Sequence, residues 1–385
     1  MPENKKVAAI VCEFNPFHNG HKYHIEQTKL KTGAEYIICI MSGSMVQRGE
    51  IAIADKWHRA KTAIQNGADL VIELPAYYVL QSAENFAFGA VEILSKLGIV
   101  DYLSFGSECG DINALSQFAH MLVNPTENFT DTLKKYLDEG FGYPYAMEQA
   151  FKTTSNDIEL NPNDILAINY IKAIKQLDSK ITPFAVIRTN DYHGINTDSN
   201  VASATAVREL INNYGDISGF VPDVPKNIYD TERIENLILG FFRLCDKNSM
   251  SDIIGMEQGL AERLISCAKE STCLYEFISK ATTKRYTAHR IKRVVLCSIL
   301  GIKKGYECGY VRILASNKKG FELISQIKEN SYLDVVTKTA DYDAPLNSTF
   351  KFDILSTDIA ALCSTDETKR GAMSDYTHSP EIINE

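Results

Sequence analysis

No stretch of this 385-residue sequence approaches the ~20 consecutive apolar residues that a membrane-spanning helix needs. The N-terminus, Met1 to Lys6, leads into an apolar run of only about six residues, shorter than the core of a secretory signal. The expected location is the cytoplasm, with no membrane partner. The nine cysteines, Cys12, Cys39, Cys109, Cys245, Cys267, Cys273, Cys297, Cys308 and Cys363, include no Cys-x-x-Cys pair. An odd number at those spacings argues against a disulfide framework and against a zinc ribbon, and predicts free thiols. No cluster of histidine and carboxylate has zinc-like spacing, so no protein-bound metal is predicted. The sequence also lacks Gly-x-x-x-x-Gly-Lys-Ser/Thr, which excludes a P-loop enzyme, and lacks Gly-x-Gly-x-x-Gly after its first apolar run, which counts against a dinucleotide fold. Positive charge is short: 40 Lys and Arg face 49 Asp and Glu, for a net charge of −9. An RNA partner would have to be met by basic residues concentrated locally.

What is present is an ordinary globular composition, 45% hydrophobic and 23% charged, at a length comfortable for two domains. The chain is organised around Val7 to His24. Val7 to Cys12 is continuously apolar, as a strand buried on both faces of a parallel sheet should be. A turn at Asn15-Pro16 follows, then His18-Asn19-Gly20-His21, and then a segment with Tyr23, Ile25 and Leu30 among polar residues. The two histidines therefore stand where a strand hands over to a helix. Free N–H groups and the positive end of the helix dipole favour an anion there, phosphate above all. Gly20 removes a side chain where a nucleotide would approach the backbone. A random His-x-x-His pair is more often packing than ligand, but this position favours function.

Strand and helix patterns then alternate with short connections. Tyr36–Met41, Asp69–Leu74, Val100–Phe105 and Thr182–Ile187 read as buried strands, and helices run from Asp55 to Gly67 and from Ser82 to Leu97. Asn161-Pro162-Asn163 and Ser203 each open another helix. Prolines and glycine between Gly215 and Lys226 mark a domain boundary. Beyond it Thr231–Leu244, Gly259–Cys267 and Thr287–Leu300 show helical periodicity, Tyr310–Ala315 reads as a short strand, and the tail from about Thr365 is expected to fray. The predicted fold is α/β: a parallel-sheet, Rossmann-like domain over residues 1–215, then a mainly α-helical domain over 216–385.

Ligands of such sheets gather at the carboxyl ends of the strands. Those ends carry His18 and His21, then Ser42, Gly43, Gln47 and Arg48, then Gly106 and Glu108, then Arg188, followed by Ser203, Thr205 and Arg208. Histidines, arginines, glycines and hydroxyls suit a triphosphate. Arg188 alone would serve a surface ion pair equally well. Ser203 and Thr205 could be only helix caps, although a cap facing phosphate does both. Asp55, Lys56 and Arg59 read, by themselves, as a solvated helix face. Lys284-Arg285-Tyr286-Thr287-Ala288-His289-Arg290-Ile291-Lys292-Arg293 holds five basic side chains and no acid. It could grip an RNA backbone, with Tyr286 stacking on a base, or could be a solvated basic face.

The string Glu13-Phe14-Asn15-Pro16-Phe17-His18-Asn19-Gly20-His21 resembles the nucleotidylyltransferase superfamily in its His-x-Gly-His core and, over its full length, the bacterial tRNA(Met) cytidine acetate ligase family. Met41-Ser42-Gly43, Val46 to Glu50, Asp55-Lys56-Trp57, Asn66 to Pro75, Ser104 to Glu108, Pro162 to Leu166 and Ser203-Ala204-Thr205 extend the likeness densely through the first half. Lys284 to Thr287 continue it more loosely in the second. Two positions depart from the pattern, Ala167 where glycine is expected and Ser44 where asparagine is frequent. The resemblance implies ATP contacts from Val11, Cys12, Glu13, Phe14, Asn15, Pro16, Phe17, His18, Asn19, Gly20, His21, Lys22, Tyr23 and His24 as a block. It adds Gly106, Asn163 and Arg188, with His18 and His21 stabilising charge on the phosphates. It further implies activation of acetate as acetyl-adenylate, with ATP as substrate and Mg²⁺ on its phosphates. Acetyl then passes to the wobble cytidine of elongator tRNA(Met), giving N(4)-acetylcytidine. Lys284, Arg285, Arg290, Lys292 and Arg293 are the candidate tRNA contacts. Two other readings compete: a nucleotidylyltransferase acting on a small phosphorylated metabolite, and a non-catalytic RNA-binding protein on the same fold. The long helical second half counts against the first, and the intact histidine pair against the second.

Overall fold

The computed structural model describes residues 5–152, 161–188 and 202–384. The polar stretch expected at Thr189 to Asn200 lies outside them. In chain order the first half comprises β1 (Val7–Cys12), α1 (Asn19–Thr32), β2 (Tyr36–Ser42), β3 (Met45–Val46), β4 (Glu50–Ile51), α2 (Lys56–Gln65), β5 (Leu70–Leu74), α3 (Ala76–Val79), α4 (Ala83–Lys96) and β6 (Tyr102–Ser107). It continues through α5 (Ile112–Val123), α6 (Glu127–Asp138), α7 (Tyr143–Lys152), α8 (Pro162–Gln176), β7 (Thr182–Ile187) and α9 (Ala204–Asn212). The second half contributes α10 (Glu235–Leu244), α11 (Leu260–Glu270), α12 (Leu274–Ala281), α13 (Ala288–Leu300), β8 (Tyr310–Ser316), α14 (Lys318–Asn330), β9 (Asp334–Val336), α15 (Phe350–Ala361), α16 (Ser374–Thr377) and β10 (Glu381–Ile382).

The main sheet runs β10-β8-β5-β2-β1-β6-β7, with β9 beside β8. β5, β2, β1, β6 and β7 pair in parallel, while β8 joins β5 antiparallel. Alternate residues of the central strands feed two separate cores. Val7, Ala9, Ile38, Ile40, Leu70 and Ile72 face one side, and Ala8, Ile10, Cys39, Met41 and Val71 the other. That is why these strands read as unbroken apolar runs. The chain moves outward from β1 to β2 and β5, then returns to the far side of β1 with β6. Strand order therefore reverses at β1, the place where open α/β sheets form their binding crevice.

Helix starts follow the local chemistry. Asp55, Ser82, Ser203 and Thr287 cap α2, α4, α9 and α13, each side chain accepting a backbone N–H of the first turn. Asn161 and Asp164 form a reciprocal capping box on α8.

Two expectations are corrected. Lys56 and Arg59 are not solvated but fully buried. Lys56 pairs with Glu73 at 2.9 Å and with Asp375 at 2.8 Å, and Arg312 reaches the same two carboxylates at 3.4 and 2.5 Å. Two cations and two anions thus neutralise one another beneath β5. Burial pushes the Asp375 carboxyl up, but Lys56 and Arg312 outweigh it and hold it below its ordinary value. Nor does the tail fray: Asp375 is fully buried, and β10 pairs in parallel with β8. The whole second half is mainly helical, yet β8 and β10 lie in the sheet of the first.

Candidate functional site

β1 ends at Cys12, and the chain turns through Phe14, whose φ is 47°, to reach α1. The rings of Phe14 and Phe17 pack against each other at 4.7 Å between centroids, and both touch the His21 ring, at 4.9 and 5.6 Å. These aromatics set the plane of His21. His18 is the N-cap of α1: its Nδ1 accepts the Gly20 N–H at 3.0 Å. The N–H of His18 donates in turn to Nδ1 of His21 at 3.2 Å. The two rings stack with centroids 3.7 Å apart. Because both Nδ1 atoms accept, each neutral ring carries its proton on Nε2.

Electrostatics keeps the rings neutral. Burial, reinforced by Arg188 and Arg208, pushes His18 down to about 3. Burial, together with His18, His24 and Arg188, holds His21 well below its ordinary value. Burial and Arg188 push His24 down to about 4. A second consequence concerns stability. Unfolding exposes imidazoles that bind protons below their ordinary value of 6.5, while the folded rings stay neutral. The stabilisation is complete above about pH 6.5 and is lost as pH falls toward 4. Each ring contributes up to ~1.4 kcal/mol per pH unit in that window. The midpoint of urea denaturation should therefore drop steeply between pH 7 and pH 5, and a flat profile would show that the rings are not buried in neutral form.

His18 and His21 line a cleft of about 160 Å³ together with Glu13, Asn15, Val46 and Arg48. Asn163, Arg188, Ser203, Ala204, Thr205 and Arg208 complete its wall. The structure thus gathers residues from the ends of β1 and β7, from the β3–β4 hairpin and from the starts of α1, α8 and α9. Gly106 lies under Arg188, where a Cβ would come within 3.3 Å of the Arg188 side chain. Ser203 caps α9 through Ala206 N–H, so cap and cleft residue coincide. The Arg208 guanidinium donates to the carbonyl of Asn15 at 2.7 Å and to the Thr205 hydroxyl at 3.2 Å. Asn163 donates to Glu108, whose second carboxylate oxygen is buried with no hydrogen-bond partner. Of the Val11–His24 block, Lys22 is exposed, Cys12 is buried against Ile40, and His24 is tied to Ser104 at 3.0 Å. Asn19 joins the histidine loop to the 219–220 segment through the carbonyls of Gly219 and Phe220. A larger cavity of about 830 Å³, bordered by Tyr78, Glu92, Tyr306 and Leu333, shares no residue with this cleft.

The loop below the cleft is fixed by Arg59, which sequence patterning alone assigned to solvent. Its guanidinium donates to the carbonyls of Glu13, Ser42, Gly43 and Ala54. Gly43 is required there, since a Cβ would sit 2.1 Å from Oε1 of Glu73. The partners of Arg59 are backbone carbonyls, which leave no mark in the sequence.

The basic segment does not form one exposed face. Lys284 lies 3.9 Å over the Phe141 ring, and Arg285 and Arg290 share Glu257. Lys292 pairs with Glu50 at 2.5 Å, and Arg293 donates to the Gln47 carbonyl at 3.1 Å. Tyr286, expected to stack on a base, is buried with its hydroxyl on Glu257, which corrects that expectation.

A parallel sheet reversing at its first strand, with a stacked neutral histidine pair over a helix start, defines a nucleotidyl-transferring site. Residues 5–375 match the family described as HIGH Nucleotidyl Transferase. The chain belongs to that family and, within it, to the tRNA(Met) cytidine acetate ligases. A tRNA(Met) cytidine acetate ligase of Acetivibrio thermocellus is 35% identical over 416 aligned positions, covering 98% of this chain and 100% of the relative. One from Caldicellulosiruptor bescii is 39% identical, covering 86% of this chain and 87% of the relative. The crystal structure of Thermotoga maritima TmcAL bound with alpha-thio ATP superposes with a TM-score of 0.87 at 28% identity, covering 99% of this chain and 100% of that one. Among the described residues no helix is long and apolar enough to cross a membrane.

Proposed function

We propose that this protein is an ATP-dependent acetate ligase that acetylates the wobble cytidine of elongator tRNA(Met). The observation that carries the reading is the pair of neutral Nε2–H donors held at the start of α1. A carboxylate oxygen of acetate attacks the α-phosphorus of ATP, and the bond to the bridging oxygen breaks. Acetyl-adenylate forms and pyrophosphate leaves. Displacement at phosphorus asks the protein mainly for positioning and charge neutralisation. Here His18, His21 and the helix start meet the developing negative charge, while Arg48, Arg188 and Arg208 surround the polyphosphate. Neutral donors suit the task, because they need no proton exchange during the step. The exocyclic amine of the cytidine then attacks the acetyl carbonyl, loses a proton and expels AMP, leaving N(4)-acetylcytidine.

ATP is the substrate of the first step, and Val11 to His24, Gly106, Asn163 and Arg188 are its proposed contacts, with Ser203 and Thr205 on the phosphate side. Among the described residues no three of His, Cys, Asp and Glu converge as a metal site. Mg²⁺ accompanying ATP would hold phosphate oxygens and water. For the tRNA we propose Lys284 and Arg285 as the outermost contacts, with Arg290 behind them. Nucleotide chemistry then belongs to residues 1–215 and tRNA capture to residues 216–385, with β8 and β10 tying the two together.

Arg188 provides a direct test. Its side chain is exposed to the cleft and packs on Gly106. Arg188→Ala should weaken ATP binding about tenfold or more, the loss of one charge-assisted contact. The thermal midpoint should move by no more than about a degree or two, as a surface change does. Titration calorimetry and a melting curve decide it; unchanged ATP affinity with a large loss of stability would return Arg188 to a structural role.

A further inference from the structure

The hairpin from Met45 to Ile51 has two faces. On one, Val46 and Arg48 line the cleft with His18 and His21. The Gln47 N–H on that hairpin donates to Oε1 of Glu13 at 2.6 Å, tying it to the end of β1. The opposite face rests on α13. Lys292 meets Glu50 at 2.5 Å, and Arg293 donates to the Gln47 carbonyl at 3.1 Å. Between those contacts Gly49, at φ +77°, lies so close to the helix that a Cβ would come 2.5 Å from the Arg293 nitrogen. The helix backbone and the hairpin tip are in direct contact, and no side chain fits between them.

From this contact we infer that Lys292 and Arg293 are positioning residues of acetate activation, which hold the Met45–Ile51 hairpin so that Arg48 and Val46 form the cleft wall. The inference rests on the proposed ligase reaction. It gives the second half of the chain a part in the first chemical step. It also removes these two side chains from the surface that meets tRNA. Lys292 is spent on Glu50, whose carboxyl is drawn below its ordinary value by Lys292 despite its burial. Arg293 is largely buried, and burial pushes it down to about 10. A guanidinium already donating to the Gln47 carbonyl beneath the hairpin is poorly placed to exchange solvent for a phosphate oxygen.

The test is a charge swap read in two assays. Glu50→Lys and Lys292→Glu each place like charges together at the hairpin. Each alone should lower kcat/KM for ATP in acetate-dependent pyrophosphate release without tRNA by about 10- to 100-fold, the cost of misplacing a wall residue by about an ångström. The swapped double variant should recover most of that loss, since it restores the pair with reversed sign. Arg293→Ala should fall as far, chiefly through KM for ATP, and Arg293→Lys should fall less. The salt dependence of tRNA binding should be unchanged throughout. Pyrophosphate release at the wild-type rate in all single variants would overturn the inference, as would loss of about one unit of salt slope per substitution. A single variant that fails to fold leaves the double variant as the arbiter: folded but inactive, it also overturns the inference. Absence of acetate-dependent release in the unmodified protein would instead strike the ligase reading itself.

Discussion

His21→Ala should lower acetate-dependent pyrophosphate release by about 10²- to 10³-fold, the usual loss when one donor to a developing oxyanion is removed. The loss should fall mainly on kcat. The donor meets charge that grows during the displacement, so it binds the transition state better than it binds ATP. Part of the effect passes through His18, because the two rings stack and the His18 N–H donates to His21 Nδ1. The double His18→Ala/His21→Ala variant should therefore lose less than the product of the two separate effects, as groups acting as a unit do. The rate should also show no imidazole titration between pH 6 and pH 8, since His18 is neutral down to about 3 and His24 to about 4. Near wild-type kcat in a folded His21→Ala protein would remove the histidine pair from the chemistry.

The largest expected effect on stability lies in the buried charge cluster of Lys56, Glu73, Arg312 and Asp375. Asp375→Ala should destabilise the protein by about 3–5 kcal/mol, because it strands Lys56 and Arg312 in the interior with Glu73 as their only remaining carboxylate among the described ion pairs. Urea denaturation would measure it. Replacing Lys56 and Asp375 together by Met and Leu should cost much less, since apolar residues of similar volume replace buried pairs with little loss. Activity should suffer along with stability. The Glu73 carboxylate that Lys56 and Arg312 hold packs against Gly43, and Arg59 anchors the same loop to Glu13. An Asp375→Ala protein as stable as the parent would show that the four charges are solvated in solution.

The parts of this molecule that were legible in the sequence are the local ones. The apolar run of β1, the helix starts at Asp55, Ser82, Ser203 and Thr287, and the His-Asn-Gly-His turn depend on neighbours a few residues away. Their structure follows from backbone sterics and capping chemistry. The convergence of His18, Arg48, Arg188, Ser203, Thr205 and Arg208 was also legible, because parallel sheets collect their loops at one edge. What escaped were pairings across the chain. Lys56 lies on a polar-looking helix, and nothing near it announces Arg312 or Asp375. The same holds for the tail, where polar composition suggested fraying until Asp375 found its buried cations. In the basic segment, composition gave charge but not direction. Glu257 and Glu50, remote in sequence, absorb Arg285, Arg290 and Lys292.

Function was legible for a related reason. The histidine pair, the strand-end arginines and the densest family motifs sit in the first half, where each proposed chemical role is local. The second half carries scattered charge, whose direction periodicity does not encode. Its contribution to the first half, through β8, Asp375 and the α13 contact with the hairpin, is visible only in three dimensions.

The site is proposed to couple acetate to a cytidine of tRNA(Met) at the expense of ATP. The most direct measurement incubates the purified protein with unmodified elongator tRNA(Met), ATP and isotopically labelled acetate, and then digests the tRNA for nucleoside analysis by mass spectrometry. Labelled N(4)-acetylcytidine should appear at the wobble position, with AMP and pyrophosphate in equal amounts, and all three products should fall about 10²- to 10³-fold in the His21→Ala protein. Pyrophosphate release that ignores acetate, or tRNA that returns without labelled N(4)-acetylcytidine while the protein binds ATP, would contradict it.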